Sequence, residues 1–358
     1  MSQETILNLH NHTTYSDGHG TYTDIAQAAA IANIDVVIVT DHNIRPRGLE
    51  KYYCIEDKNI LILTGEEIHD RTHSPQKNHL LVFGVEEELA HLGGKTQWLI
   101  DRIRQINGFA FLAHPNEDAL SFFKEPNISW VDWDITGFHG LEIWNGMSEF
   151  KTVCKDSMLT ALFYAFFPHL LAQGANKLTM QKWDELLRKG LHVYAVGGTD
   201  SHATPYRKGP FKRIIYPYQF HFSTVNNHIL TEQKLSGNFQ VDRQVIFNAI
   251  RHGHYFVGYD LPHPTKGFRF TGKGQFGEYQ MGDTALEEKN ITLQIRLPYP
   301  AICNLIHNGK TIQTWNQQEI CTHQAVEPGY YRIECYISFM GKKRGWIYSN
   351  PIFLGKGA

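Results

Sequence analysis

The stretch Leu9–Asp24, LHNHTTYSDGHGTYTD, follows a short apolar run and places three histidines and two aspartates in sixteen positions. It is either a polar surface loop or the first part of a metal site. His10 and His12 are two residues apart, and on an extended chain such residues point to the same side. An H-x-H pair of this kind can grip one ion, and Asp17 follows in the same loop.

Later apolar runs repeat the pattern. "VVIVTDHN" ends in Asp41 and His42, "ILILTGEE" in Glu66 and Glu67, "FAFLAHP" in His114, and "YAVGGTDSH" in Asp200 and His202, while "LEIWN" carries Glu142 and Asn145. "NHLLVFGV" begins with His79, which predicts a hairpin partner running opposite to the preceding strand. In parallel α/β barrels the strand ends converge on one mouth, where active sites sit. One histidine at a strand end is ordinarily a hydrogen-bonded structural residue. Eight or nine such ends are different, because buried unpaired polar groups cost several kcal/mol each and cations offset that cost. The donors are nitrogen and oxygen with no cysteine nearby, which suits Zn, Mn or Fe in an open catalytic site. There are too many donors for one ion, so two or three divalent metal ions are expected.

The rest of the chain frames this reading. Its 358 residues suit one large domain, or a large one and a small one, and 42% apolar with 20% charged residues is an ordinary globular composition. A net charge of −2 disfavours an extended nucleic-acid footprint but leaves room for a small anionic substrate. No apolar run is long enough for a membrane span, and the N-terminus has no basic start or apolar core of a signal peptide. Cys54, Cys154, Cys303, Cys321 and Cys335 are scattered without C-x-x-C spacing, so free thiols in a cytoplasmic protein are expected. Short β-rich runs alternate with helical stretches such as TYTDIAQAAAIAN, with Thr23 or Asp24 as cap, TQWLIDRIRQI, with Trp98 on its buried face, and TMQKWDELLRKG. This alternation predicts a largely parallel α/β barrel or layered sheet. Residues 149–176 form an aromatic-rich helical insertion whose aromatics read as core. After about residue 262 the pattern turns to alternating strands and turns, predicting a small β-sandwich.

In order, LHNHTTYSDG, VTDHN, the G-x-E of GEE, HLLVFG, AHP and GTDSH resemble the PHP family, the polymerase and histidinol phosphatase metallohydrolases. The β-rich tail, with PGYYRIECYI and WIYSNPIFL, is similar to the ending of members grouped with carbaryl-type hydrolases. The resemblance implies an α/β fold: a distorted (βα)7 barrel over residues 1–262, followed by an all-β sandwich over 266–358. It implies that a first ion takes His10, His12, a bridging Glu67 and Asp200. A second takes Glu67, His79 and His114, and a third takes Asp17, His42 and His202. Asp41 would orient a ligand imidazole, Glu66 would stand beside the bridge, and Glu142 would accept a hydrogen bond near the centre. Asp200 and His202 are the candidate catalytic residues, with His202 a donor to the leaving group. Arg45 and Arg47 after His42, and Arg207, Lys208, Lys212 and Arg213 after His202, could bind an oxyanion, although solvated loop charges explain each equally well. The expected activity is a metal-dependent phosphoesterase on a small phosphorylated molecule. A carbamate or aryl-ester hydrolase at the same centre, and a non-catalytic metal-binding scaffold whose β-sandwich binds a partner, are the alternatives.

Overall fold

The computed structural model describes residues 3–208 and 211–355. The first half contains strands β1 (Gln3–Leu9), β2 (Val36–Val39), β3 (Lys51–Ile55), β4 (Lys58–Thr64), β5 (Glu66–Asp70), β6 (Lys77–Phe83), β7 (Phe109–Leu112), β8 (Gly140–Asn145) and β9 (Tyr194–Gly198). Helices α1 (Tyr22–Ala32), α2 (Thr96–Gln105), α3 (Gly146–Cys154), α4 (Met158–Phe166) and α5 (Lys177–Arg188) lie between them. The hairpin β10 (Thr204–Lys208) and β11 (Phe211–Ile215), helix α6 (Tyr218–Phe222), strand β12 (Val225–Thr231), helix α7 (Phe239–Arg251) and strand β13 (Tyr255–Tyr259) follow.

The helices form where expected. Thr21 caps α1 in place of Thr23 or Asp24: its hydroxyl accepts from the Asp24 N–H, and the Asp24 carboxylate accepts from the Thr21 N–H. Helix α2 buries Leu99, Ile100 and Ile103 and turns Trp98 out to solvent.

Strands β5 to β9 make a five-stranded sheet in sequence order, with β5–β6–β7 antiparallel and β7–β8–β9 parallel. The antiparallel β5–β6 pair is the hairpin that His79 predicts. Strands β12, β1, β2, β4 and β3 belong to a second sheet, in which β1–β2 and β2–β4 are parallel. These two sheets do not close into the expected (βα)7 barrel. Among the described residues they meet through two isolated bridges, Asn11–Ser201 and His42–Glu67. The break between β4 and β5 falls at Gly65, where a Cβ would lie 2.6 Å from the Phe83 ring and 2.7 Å from the Val82 carbonyl. At the other junction His10 and Asp200 take positive φ (67° and 53°), which ends regular pairing.

The chain beyond residue 266 is all strand: β14 (Arg269–Lys273), β15 (Glu278–Gln280), β16 (Thr284–Ala285), β17 (Ile291–His307), β18 (Lys310–Ala325), β19 (Gly329–Phe339), β20 (Lys342–Ser349) and β21 (Ile352–Leu354). These strands are hydrogen-bonded as a continuation of the second sheet, through the antiparallel pair β13–β20. Strand β17 pairs with β14 through its first half and with β19 through its second, with an irregularity between Arg296 and Ala301. The sheet folds around its own apolar core, which includes Phe270, Ile295, Leu305, Ile333 and Trp346. Strand β20 also holds the end of the helical insertion. The buried Arg344 guanidinium donates to the carbonyls of Leu170 (2.9 Å) and Ala172, and the Gly345 N–H donates to the Gln173 carbonyl.

A buried ionic cluster ties β1 to this tail. His228 donates to Glu4 (2.8 Å) and Asp260 (3.1 Å), and Glu4 also accepts from Arg269 (2.5 Å). Burial acts to lower the His228 pKa, but Asp260 and Glu4 outweigh it and push it up to about 9. An imidazolium favoured by the folded state contributes stability fully below the ordinary histidine value, and that contribution is lost as pH rises through about 9. The wild-type melting temperature is therefore expected to fall between pH 7 and pH 10 by an increment missing from His228→Gln. Thermal melts followed by circular dichroism check this, and equal slopes in the two proteins would refute it.

Candidate metal centre

The ends of both sheets face one another, and Glu67 occupies the point where they meet. Successive residues of β5 alternate in direction, so Glu67 turns to the junction while Glu66 turns the other way. The Glu67 carboxylate is fully buried among five imidazoles. Its Oε2 lies 3.0 Å from His10 Nε2, 3.1 Å from His12 Nε2 and 3.1 Å from His42 Nδ1. Its Oε1 lies 2.7 Å from His79 Nδ1 and 3.0 Å from His114 Nε2. Asp200 Oδ1 stands 3.2 Å from His12 Nε2 and 3.4 Å from His10 Nε2. At the outer edge Asp17 Oδ1 is 3.1 Å from His202 Nε2, and its Oδ2 is 3.7 Å from His42 Nε2.

All nine residues expected as ligands are thus gathered in one place. Their donor atoms fall into four groups: His10–His12–Glu67–Asp200, His12–Asp17–His42–His202, His42–Glu67–His79 and His114–Glu117–Asp200. The first is the expected first set, and the second is the expected third set with His12 added. The expected trio of Glu67, His79 and His114 is divided between the last two groups. Glu117 enters as a buried carboxylate that the motif reading does not contain; it lies 3.6 Å from His114 Nδ1 and is held by Ser148 and by Lys151 (2.5 Å). Its only sequence signal is its place three residues after His114. His69 is buried and stacks on His79 at 4.7 Å.

Glu142 lies behind this cluster. It accepts from His10 Nδ1 (2.8 Å), the His114 backbone N–H (2.8 Å) and Asn145 Nδ2 (2.9 Å), and so fixes the His10 ring and the backbone that carries His114. Gly198 makes this possible, since a Cβ there would fall 1.8 Å from Glu142 Oε1 and 2.9 Å from His10 Cβ.

Several residues stand apart from their expected places. Asp41 touches no imidazole; it accepts from the Thr13 N–H, the Thr13 hydroxyl and the Ser16 hydroxyl, each at 2.7 Å, and pins the loop that carries Asp17. Glu66 faces Glu88, Arg45 and Arg71, and burial followed by the Glu88 carboxylate pushes its pKa up to about 9. Arg45 is buried and paired with Glu50 (2.9 Å) and Glu86 (3.0 Å). Arg47 and Arg207 are exposed and do not line the cavity above the centre, and the Lys208 side chain lies outside the described residues. Lys151, Lys212 and Arg213 line that cavity.

Burial opposes charge throughout the cluster, yet attraction prevails at its centre. Burial acts to lower the His10, His12 and His114 pKa values. The carboxylates, Glu142 foremost for His10 and Glu117 for His114, lift them regardless, His12 to about 10 and His114 to about 9. The imidazoles in turn hold Glu67 and Asp200 well below the usual carboxylate range against their burial. At His42 and His79 burial wins, and both are pushed down.

This donor set fits divalent cations. His12 Nδ1 and Nε2, His42 Nδ1, His79 Nε2 and His114 Nδ1 are buried without a hydrogen-bond partner, although carboxylate oxygens stand beside most of them. Unpaired imidazole nitrogens beside carboxylates, with no thiolate present, suit Zn, Mn or Fe. Four groups of donors around one bridging carboxylate leave room for more than one ion.

Residues 8–119 match the family model of the PHP domain, over the stretch that carries seven of the nine converging residues. The resemblance to that family is thereby shown for this stretch. A two-domain protein from Bacteroides vulgatus ATCC 8482 containing a predicted PHP-like metal-dependent phosphoesterase aligns over 98% of this chain and 95% of its own, at 14% identity and a TM-score of 0.44. A protein from Bifidobacterium adolescentis ATCC 15703 assigned as a metal-dependent phosphoesterase covers 59% of this chain and 91% of its own, at 12% identity and a TM-score of 0.35. An amidohydrolase from Chromobacterium violaceum covers 60% and 96%, at 16% identity and a TM-score of 0.28. No curated protein matches the chain.

Groups that orient a ligand imidazole typically contribute 10–100-fold to metal affinity. Glu142→Gln and Gly198→Ala are therefore each expected to weaken metal binding by about that factor, with the circular dichroism spectrum retained. Competition against a chromogenic chelator measures it, and wild-type affinity in both variants would refute the assignment.

Proposed function

We propose that this protein is a metal-dependent hydrolase, and that it is a phosphoesterase acting on a small anionic molecule. One observation carries the reading: a single buried carboxylate, Glu67, bridges five imidazoles beside Asp200 and Asp17, behind the floor of an open cavity of about 730 Å³ that His42, His79, His114, Asp200 and His202 line. His10, His12, Glu67 and Asp200 would hold one cation. Asp17, His42 and His202 would hold another, and His79 and His114 share Glu67 for a further one. Held by these residues, divalent cations would supply water activation near neutral pH and charge stabilisation at the ester oxygens.

The chain's own residues supply the remainder. Glu142 keeps His10 in place. His202, half-buried, donates from Nδ1 to the Asp200 carbonyl (2.8 Å), which leaves Nε2, 3.1 Å from Asp17, to serve as a cation ligand instead of the proton donor first expected of it. Of the expected cations, Lys212 and Arg213 line the cavity, and with Lys151 they are our candidates to receive substrate charge. The catalytic unit is taken to span residues 1–262, with 266–358 as a separate supporting unit. Five free cysteines and the absence of any helix long and apolar enough to cross a membrane among the described residues fit our placement in the cytoplasm. An aryl ester or carbamate is the second reading, favoured by the apolar wall of the same cavity.

The expected result is at least one divalent ion per chain by mass spectrometry under metal-replete conditions, with turnover of phosphate monoesters ahead of aryl acetates and N-methylcarbamates in the same panel. His10→Ala is expected to reduce turnover to background while the protein stays folded. Less than one ion per chain, or near wild-type turnover in His10→Ala, would overturn the reading.

A further inference from the structure

The cavity above the centre has two unlike halves. Its floor is His42, His79, His114, Asp200 and His202, with Asp17 at the edge. Its walls are apolar and come largely from elements outside the strand–helix framework. Helix α3 supplies Met147 and Phe150, α4 supplies Ala161, Leu162, Ala165 and Phe166, and the β10–β11 hairpin adds Ile215. Part of this wall belongs to a packed cluster, in which Phe150 and Ala161 are buried with Leu120, Cys154, Leu171 and Tyr216. Arg213 secures the hairpin to α4: its guanidinium lies over the Phe166 ring at 4.8 Å and donates to the Phe166 carbonyl. Phe166 itself is 48% exposed, so the apolar surface runs from the cavity out to solvent.

A cavity of about 730 Å³ is in the range, roughly 300–1,000 Å³, that buries a drug-sized ligand. A phosphate at the floor leaves most of it to the rest of the substrate, and that space is lined mainly by apolar side chains, with His19, Gln76, Glu125, Thr204 and Tyr206 as the polar groups besides the cations. Polar groups placed there would lose hydration without new partners. Lys151, Lys212 and Arg213 are the cations along the wall, and Lys151 is already paired with Glu117.

We propose that the substrate is the phosphate monoester of a hydrophobic alcohol, alkyl or aryl, whose apolar part lies along α3 and α4 while its phosphate meets the histidine-rich floor. This rests on the phosphoesterase reading and names the substrate class for the same site.

The test compares metal-loaded enzyme on methyl, butyl and octyl phosphate, 1-naphthyl phosphate and glucose 6-phosphate. In parallel, calorimetry follows binding of methyl-, butyl- and octylphosphonate. Within the cavity each added methylene is expected to raise kcat/KM, and to tighten phosphonate binding, by up to about fourfold. The heat capacity change of binding should become more negative with chain length. Ala165→Glu and, at a half-exposed position that tolerates change, Phe166→Ser are expected to reduce the octyl-to-methyl ratio at least tenfold. Hydrolysis without chain-length dependence, or with glucose 6-phosphate preferred, overturns this inference and leaves the phosphoesterase reading standing. No hydrolysis but chain-length-dependent phosphonate binding supports the apolar subsite and removes the phosphoesterase reading. Loss of both chain-length effects overturns the subsite outright.

Discussion

A carboxylate sealed from water among five imidazoles is the constraint on which the rest of this structure depends. Glu67 is fully buried, and an isolated charge there would be untenable. Charges of opposite sign must therefore arrive from every side, either as protons on imidazoles or as cations. The chain brings the five imidazoles from four separate segments, and the backbone yields to that demand. His10, His114 and Asp200 all adopt positive φ, where residues other than glycine are disfavoured. Three such residues at one junction indicate that packing around the centre dictates the local conformation. The same demand explains why the two sheets only touch where they meet, since side chains occupy the place of further ladder hydrogen bonds.

The polar centre was legible in the sequence because its signals are local. H-x-H, T-D-H, G-E-E, A-H-P and T-D-S-H sit at strand ends, and strand ends on one side of an α/β sheet converge by topology. Alternation along β5 also separates Glu67 from Glu66 once the strand is known. What stayed hidden depends on distance across the fold. Glu117 follows a histidine motif, yet only the approach of α3, with Ser148 and Lys151, makes it part of the centre. Asp41 sits beside His42, but its partners lie on the Thr13–Ser16 turn. Arg45 is close in sequence to the motif and turns instead toward Glu50 and Glu86.

The architecture was legible more coarsely. Strand and helix positions follow from periodicity, and the change to an all-β pattern after about residue 262 is plain. Closure is a different matter, because it is decided locally at two junctions: Gly65 against Phe83 and Val82 divides one predicted strand into two belonging to different sheets, and His10 and Asp200 take positive φ at the other. The insertion shows a similar split. Its aromatics read as core, and Phe150 is core, but Phe166 faces a cavity and Leu159, Phe163 and Phe167 face solvent.

The grip of Arg344 and Gly345 on residues 170–173 links two remote parts of the molecule. The strands after residue 266 contribute nothing to the cluster of imidazoles, yet they anchor the far end of the segment that shapes its vestibule. Selectivity can then drift through substitutions some distance from the reacting bond, in a part of the chain under no obligation to preserve the chemistry.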